Sequence, residues 1–222
     1  MEELNSIQKI AVMALPLVFA IVLHEVAHGW VANKLGDHTA RDLGRLTLNP
    51  VSHIDLIGTI IMPLALFLLT DGQMLFGYAK PVPINPSNFK DPKKGMALSS
   101  LAGPGINMAM ALVFAFVLRI VMPPIEGLVS TEIWEWVAIP FGLMLGYGVL
   151  INVVLAVLNM VPVPPLDGSR VVYWLLPNKL ATAYYRLEAF GMVILLALLM
   201  TGVLGKIIWP LIKPILGILL GR

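Results

Sequence analysis

Long apolar runs alternate with polar loops along this chain, and the runs are too continuous to be the buried faces of soluble helices. No polar side chain interrupts Ile10 to Leu23, and Gly29-Trp30-Val31-Ala32 resumes the run after a short ionisable patch. The pattern predicts a helix over 7–33. A shorter apolar stretch at 56–70 contains Pro63 and falls below the roughly 20 residues needed to cross a bilayer, so it is expected to be re-entrant, interfacial or tilted. The loop 71–95 is rich in Pro, Gly and Lys. Within it, 77–84 is expected to be extended, because each proline pushes its predecessor toward β or polyproline geometry. Further spans are predicted at 96–122 and 134–160, then an amphipathic surface segment at 169–188 and a fourth span at 189–205. The stretch 206–220 is apolar but broken by Pro210 and Pro214, which predicts an interfacial or oblique path. The fold class is therefore an all-α polytopic membrane protein. About four to six transmembrane helices are expected, with a re-entrant segment or short extended strand beside them.

Composition sharpens this picture. The chain is 58% hydrophobic and 13% charged, with a mean hydropathy of +0.86, values of a multi-spanning membrane protein. There are no cysteines, which excludes disulfides and thiolate zinc sites; a metal must be held by His and carboxylate. A net charge of +2 implies no nucleic-acid partner. The first run is not expected to be a cleavable signal, since only Lys9 precedes it and it exceeds the usual length of such segments. Residues 1–222 read as one membrane domain, with a core at about 7–168 and amphipathic and membrane segments at 169–222.

Charge placement predicts orientation. Lys34, Arg41, Arg45, Lys80, Lys90, Lys93 and Lys94 fall between the first two clear spans, whereas no Lys or Arg occurs from Ile120 to Ser169. The positive-inside rule puts 34–95 in the cytoplasm and 123–133 outside, and returns 160–168 to the cytoplasmic side.

The ionisable patch in the first run is His24-Glu25-Val26-Ala27-His28. Helical residues four apart share a face, so two imidazoles can grip one ion. His-Glu-x-x-His is a metalloprotease signature in which the glutamate is the general base. Chance yields the pattern about once in five hundred chains of this composition, and the bland reading is a hydrogen-bonded buried His pair. That reading leaves Glu25 buried without a partner, which is costly. A catalytic zinc takes three protein ligands, so a third is needed. His38, His53, Asp42 and Asp55 lie in the polar loop and read better as surface or interface groups. Asp167 follows three prolines at the end of the third span, which suits either a cavity-lining ligand or a solvated aspartate beyond a terminated helix. Spacing alone leaves both open. Gly103, Pro104 and Gly105 suggest close helix packing, while Asn107 either bonds across helices or faces the site.

His-Glu-x-x-His together with Asn159-x-x-Pro-x-Pro-x-Leu-Asp-Gly168 resembles the site-2 protease family of intramembrane zinc metalloproteases, in particular small bacterial members without a PDZ domain. The resemblance extends through Gly44-Arg-Leu-Thr-Leu-Asn-Pro50, Lys80-Pro-Val-Pro-Ile-Asn85 and Leu101-Ala-Gly-Pro104 with Asn107. It implies that His24, His28 and Asp167 bind one Zn2+ and that Glu25 is the catalytic acid/base. It also implies that Asn159, with Asn107, supports the oxyanion or substrate, and that a substrate-binding strand lies around Gly77, Tyr78 and Asn85. The expected function is zinc-dependent endopeptidase cleavage of transmembrane protein substrates in the bilayer of a prokaryotic cell membrane, with the site nearer the cytoplasm. The alternative is a divalent-metal transporter, for which ligands in succession across the bilayer are expected; the outer halves of the clear spans are almost wholly apolar, with Asn152 an exception.

Overall fold

Small residues let three long helices approach closely, and this seam builds the centre of the molecule. The computed structural model describes residues 6–70 and 77–221; the start of the predicted loop, 71–76, lies outside the described residues. Helix α1 (Ser6–Lys34) carries Pro16 without ending there. Helix α2 (Leu56–Leu69) begins where the Asp55 carboxylate accepts from the N–H groups of Ile57 and Gly58. Helix α3 (Pro92–Glu126) starts at an Asp91 cap with proline in the first turn. Helix α4 (Thr131–Asn159) returns antiparallel to it. Helices α1, α3 and α4 pack mutually, with Ala97, Ser99, Ser100, Gly103 and Ala111 of α3 buried. The ring of Phe114 lies where a Cβ on Gly148 would stand, 2.5 Å away, so α3 and α4 touch almost backbone to ring. In lipid such dispersion contacts, not the hydrophobic effect, drive helix association.

Three further helices complete the fold. Helix α5 (Asp167–Leu175) packs on α3, α6 (Asn178–Met200) turns back along α5, and α7 (Val203–Leu220) follows a left-handed Gly202. Five helices, α1, α3, α4, α6 and α7, are long and apolar enough to cross a membrane. Packing separates them. Asn178 accepts from Lys93 Nζ at the start of α3, Gly191 lies against the Pro164 backbone, and Leu195 is buried with Val161, Leu166 and Leu204. Both ends of α6 therefore stay at the end of the bundle marked by the 160–166 loop, and the span predicted at 189–205 does not cross by itself.

The crossing is made instead by α7, which Pro210 and Pro214 do not break. Leu204 packs on Val161 and Leu166, Ile212 on Ala111, Ala115, Val149 and Val153, and Leu219 and Leu220 join the same core toward the far end. There Arg119 Nη1 donates to the carbonyls of Ile218 (2.8 Å) and Leu219 (3.3 Å), satisfying the last turn. Prolines are tolerated in a membrane helix whose neighbours hold its path, which periodicity alone cannot show. The predicted re-entrant stretch forms α2, a peripheral helix with Leu56 and Leu69 strongly exposed. Among the described residues no strand forms: 77–85 is irregular, because its prolines leave too few donors for a ladder.

Candidate active site

Helix α1 presents His24 and His28 on one face, each 8% exposed, and their rings meet edge to face with centroids 4.5 Å apart. Asp167 reaches the same point from the start of α5. Its Oδ2 lies 3.2 Å from His24 Nε2 and 3.3 Å from His28 Nε2. The tight 160–166 loop makes this return possible: a Cβ on Gly168 would stand 2.2 Å from the Met160 carbonyl oxygen, so only glycine lets α5 start against the end of α4. Tyr184 Oη donates to the Pro162 carbonyl and ties α6 to the same loop.

The tautomers follow from the partners. His28 Nδ1 lies 2.7 Å from the Ser99 carbonyl, which can only accept, so a hydrogen is on Nδ1 and Nε2 is the atom turned to the site. His24 Nδ1 lies 2.6 Å from Asn107 Oδ1. The Asn107 amide group donates to the Ala20 carbonyl (3.1 Å) and to Asn152 Oδ1 (2.8 Å), and Asn152 donates to the Gly148 carbonyl. Both asparagines are fully buried. They form a fixed chain across α1, α3 and α4 that turns His24 Nε2 toward the site. Such outer partners orient and tune metal-binding imidazoles. Both amide hydrogens of Asn107 are thus spent on protein, and its oxygen faces His24.

Two carboxylates stand near the histidines. An oxygen of Glu25 and a nitrogen of each imidazole lie within 4.8 Å of one another. Glu25 Oε2, however, accepts from the Val82 N–H at 2.8 Å, whereas Asp167 Oδ2 is buried with no hydrogen-bond partner while almost equidistant from both Nε2 atoms. A buried carboxylate oxygen without a hydrogen-bond partner between two imidazole nitrogens fits a shared cation. The donor set, two imidazoles and a carboxylate, suits zinc. Gly103 leaves the room: a Cβ there would stand 2.5 Å from His28 Nε2 and Cε1 and 2.6 Å from His24 Cε1. The pattern of small residues suggested only helix packing at this position.

Gly103→Ala should therefore displace rings that Asn107 and Ser99 hold in place, weakening zinc binding by at least the roughly 10- to 100-fold that loss of an outer-shell partner costs. Gly105→Ala, with nothing within 4 Å of its added methyl, should bind zinc normally. Competitive chelator titration of both variants checks this. Equal affinities would show that Gly103 merely packs helices.

The segment 77–85 runs past Glu25 under several ties. Tyr78 N–H donates to the Gly58 carbonyl, Lys80 N–H to the His53 carbonyl and Arg45 to the carbonyls of Lys80 and Pro81. Asn85 N–H donates to buried Asp37, which also accepts from Thr39 and Asn88. Burial opposes ionisation of Asp37, but these hydrogen bonds outweigh it and hold its carboxyl below the usual range. Because Pro81 and Pro83 lack an N–H, Val82 is the only donor across those three positions, and it points at Glu25. Sequence reasoning missed Val82, since a backbone donor leaves no mark on residue identity. Gly77 packs on the Gly58 carbonyl and Pro63, and the Tyr78 ring covers Gly58. Asn159 Nδ2 donates to the Leu155 carbonyl of its own helix. His38, His53, Asp42 and Asp55 do not join the cluster: His38 pairs with Asn33, buried His53 bonds the Thr47 carbonyl, Asp42 meets Arg41 and Asp55 caps α2.

Comparison with known proteins decides the family. The chain is 33% identical to the "Putative zinc metalloprotease YwhC" of Bacillus subtilis over 204 residues, covering 90% of this chain and 85% of that protein. It belongs to the site-2 protease family of zinc metalloproteases. A similarly named archaeal relative, MJ0611 of Methanocaldococcus jannaschii, is 30% identical over 71% of this chain and 72% of its own length. Rip2 of Mycobacterium tuberculosis, a member of the same family, is 28% identical over 84% of this chain and 65% of its own. No family model and no solved structure matches the chain. As a site-2 protease relative it is a multi-pass membrane protein and a zinc metalloprotease, and the His24–Glu25–His28 group can hold a metal.

Proposed function

We propose that this protein is an intramembrane endopeptidase that cuts peptide bonds in or near transmembrane segments of other membrane proteins. One observation carries the reading: the two imidazoles of α1 and the Asp167 carboxylate meet at one point among membrane-spanning helices. His24, His28 and Asp167 would hold zinc, which supplies a Lewis acid and lowers the pKa of a bound water toward neutrality. Glu25 is the general base and acid. Its Oε2 is held by the Val82 N–H, so Oε1 is the atom that takes a proton and returns it to the leaving amine.

A substrate helix hides its scissile carbonyls in its own hydrogen bonds and must unwind before it is cut. The segment from Gly77 through Tyr78 to Asn85 suits receipt of the unwound strand, as in strand addition. Tyr78 and Asn85 have spent their own N–H groups on protein, and among the described residues no hydrogen bond uses those of Ala79 and Ile84. An apolar groove of about 560 Å³ between α3, the end of α4 and α7, lined in part by Leu101, Pro104, Met108, Met160 and Leu211, suits the apolar remainder of such a substrate. The excess of Lys and Arg in 34–95 favours a cytoplasmic approach. A cysteine at Lys93 should then be labelled only from the cytoplasm and one at Ser130 only from outside; labelling from one side refutes this path.

Reconstitution in liposomes tests the activity itself. The protein should cleave a helix-destabilised transmembrane substrate within its apolar stretch, in a zinc-dependent manner, and should carry no zinc flux. Zinc uptake without cleavage of any of several such substrates would establish the transporter and sink the protease reading.

A further inference from the structure

Lys213 stands in the middle of a membrane-crossing helix. Helix α7 has 18 residues and is about 27 Å long at 1.5 Å per residue. Its depth is set by three contacts: Leu204 at the 160–166 loop, Ile212 against Ala111, Ala115, Val149 and Val153, and the Ile218–Leu219 carbonyls at Arg119. Ile212 is fully buried against α3 and α4 within about two turns of their middle residues, Ala109 and Leu145, and Lys213 directly follows it. The Lys213 side chain is exposed, and among the described residues it makes no ion pair or hydrogen bond. At least roughly 10 Å of helix separates it from either end of α7, more than a lysine stem bridges by snorkelling.

The polarity on this face is not confined to one side chain. Lys206, two helical turns earlier, lies on the same face and is also exposed. Pro210 and Pro214 have no N–H, so the carbonyls of Lys206 and Pro210 lose their usual helical donors on that side. Gly217, one turn beyond Lys213, keeps the face open to a close neighbour. A cation and free acceptors at mid-depth are costly in hydrocarbon and call for a polar partner.

Lipid headgroups lie at the surfaces and cannot reach this depth. A second copy of the chain across a two-fold axis would set Lys213 against itself. Among the described residues of the long apolar helices, the carboxylates are Glu25, which is in the active site, Glu126, Glu132 and Glu135, which lie at helix ends, and Glu188 of α6, which pairs with Arg170. We propose that the face of α7 bearing Lys206 and Lys213 docks a transmembrane helix of another protein that carries a carboxylate at mid-bilayer depth. The face is roughly opposite Leu211 and Ile215, which line the apolar groove, so a helix bound there leaves the groove open. This docking does not depend on the protease reading.

The test uses the full chain in proteoliposomes with fluorescent single-pass Leu/Ala model helices, read by energy transfer. A helix with one central Glu should associate about tenfold more tightly than its central-Leu counterpart, the scale of an interhelical hydrogen bond in lipid. Lys213→Met should erase that preference while zinc content, reporting the fold, stays at one per chain. Lys213→Glu should transfer the preference to a helix with one central Lys. Equal association of the Glu and Leu helices with the native chain overturns the proposal, as does a preference that survives Lys213→Met. Self-association of the chain that competes with the model helices at this face also overturns it.

Discussion

Asp167→Ala is expected to release zinc and abolish hydrolysis together. Asp167 Oδ2 is the buried oxygen that lies within 3.3 Å of both Nε2 atoms and has no other partner. Removing it leaves two imidazoles, and two ligands do not make the three-point site of a catalytic zinc. The affinity loss should exceed the roughly 10- to 100-fold seen when an outer-shell partner is removed. His53→Ala and Asp55→Ala serve as controls, since their side chains hold the Thr47 carbonyl and the start of α2 and touch neither imidazole. Both should keep stoichiometric zinc by elemental analysis. Zinc lost from His53→Ala but retained by Asp167→Ala would mean the third ligand has been misassigned.

Glu25→Gln should do the opposite to the metal and nearly the same to catalysis. Glutamine keeps an oxygen to accept from the Val82 N–H, and the imidazoles and Asp167 are untouched, so zinc should stay bound. The base is gone, and hydrolysis of a transmembrane substrate should fall by the roughly 10² to 10⁴ that general acid–base catalysis contributes. The pair of variants separates the two nearby carboxylates. If Glu25 were the third ligand, Glu25→Gln would lose zinc and Asp167→Ala would keep it. A zinc-loaded Glu25→Gln protein with undiminished cleavage would remove Glu25 from the chemistry.

How much of this site was legible in the chain differs from residue to residue. The 24–28 motif could be read because a helix turns a four-residue spacing into a shared face, and this local geometry needs no tertiary knowledge. Asp167 was only half legible: a proline-broken end fits a ligand and a solvated group equally, and the choice depends on Gly168 meeting the Met160 carbonyl. Gly103 and Asn107 were visible as residues but not in their roles. Small size looks the same whether it admits a helix or a metal, and an amide's role depends on which donors are already spent. Val82 left no signal, since its contribution is a peptide N–H.

The sequence by itself determined the membrane class, the α1, α3 and α4 crossings and the two histidines, because hydrophobic length and helical period are local properties of the chain. Only the tertiary structure decided that α6 stays at one end while proline-containing α7 crosses, since both are apolar and long enough and only their packing partners differ. It also brought Asp167 to residues more than a hundred positions away, and it bound the Asn152–Asn107–His24 chain across three helices. Contacts of that range depend on which faces meet in three dimensions, and periodicity carries no information about that.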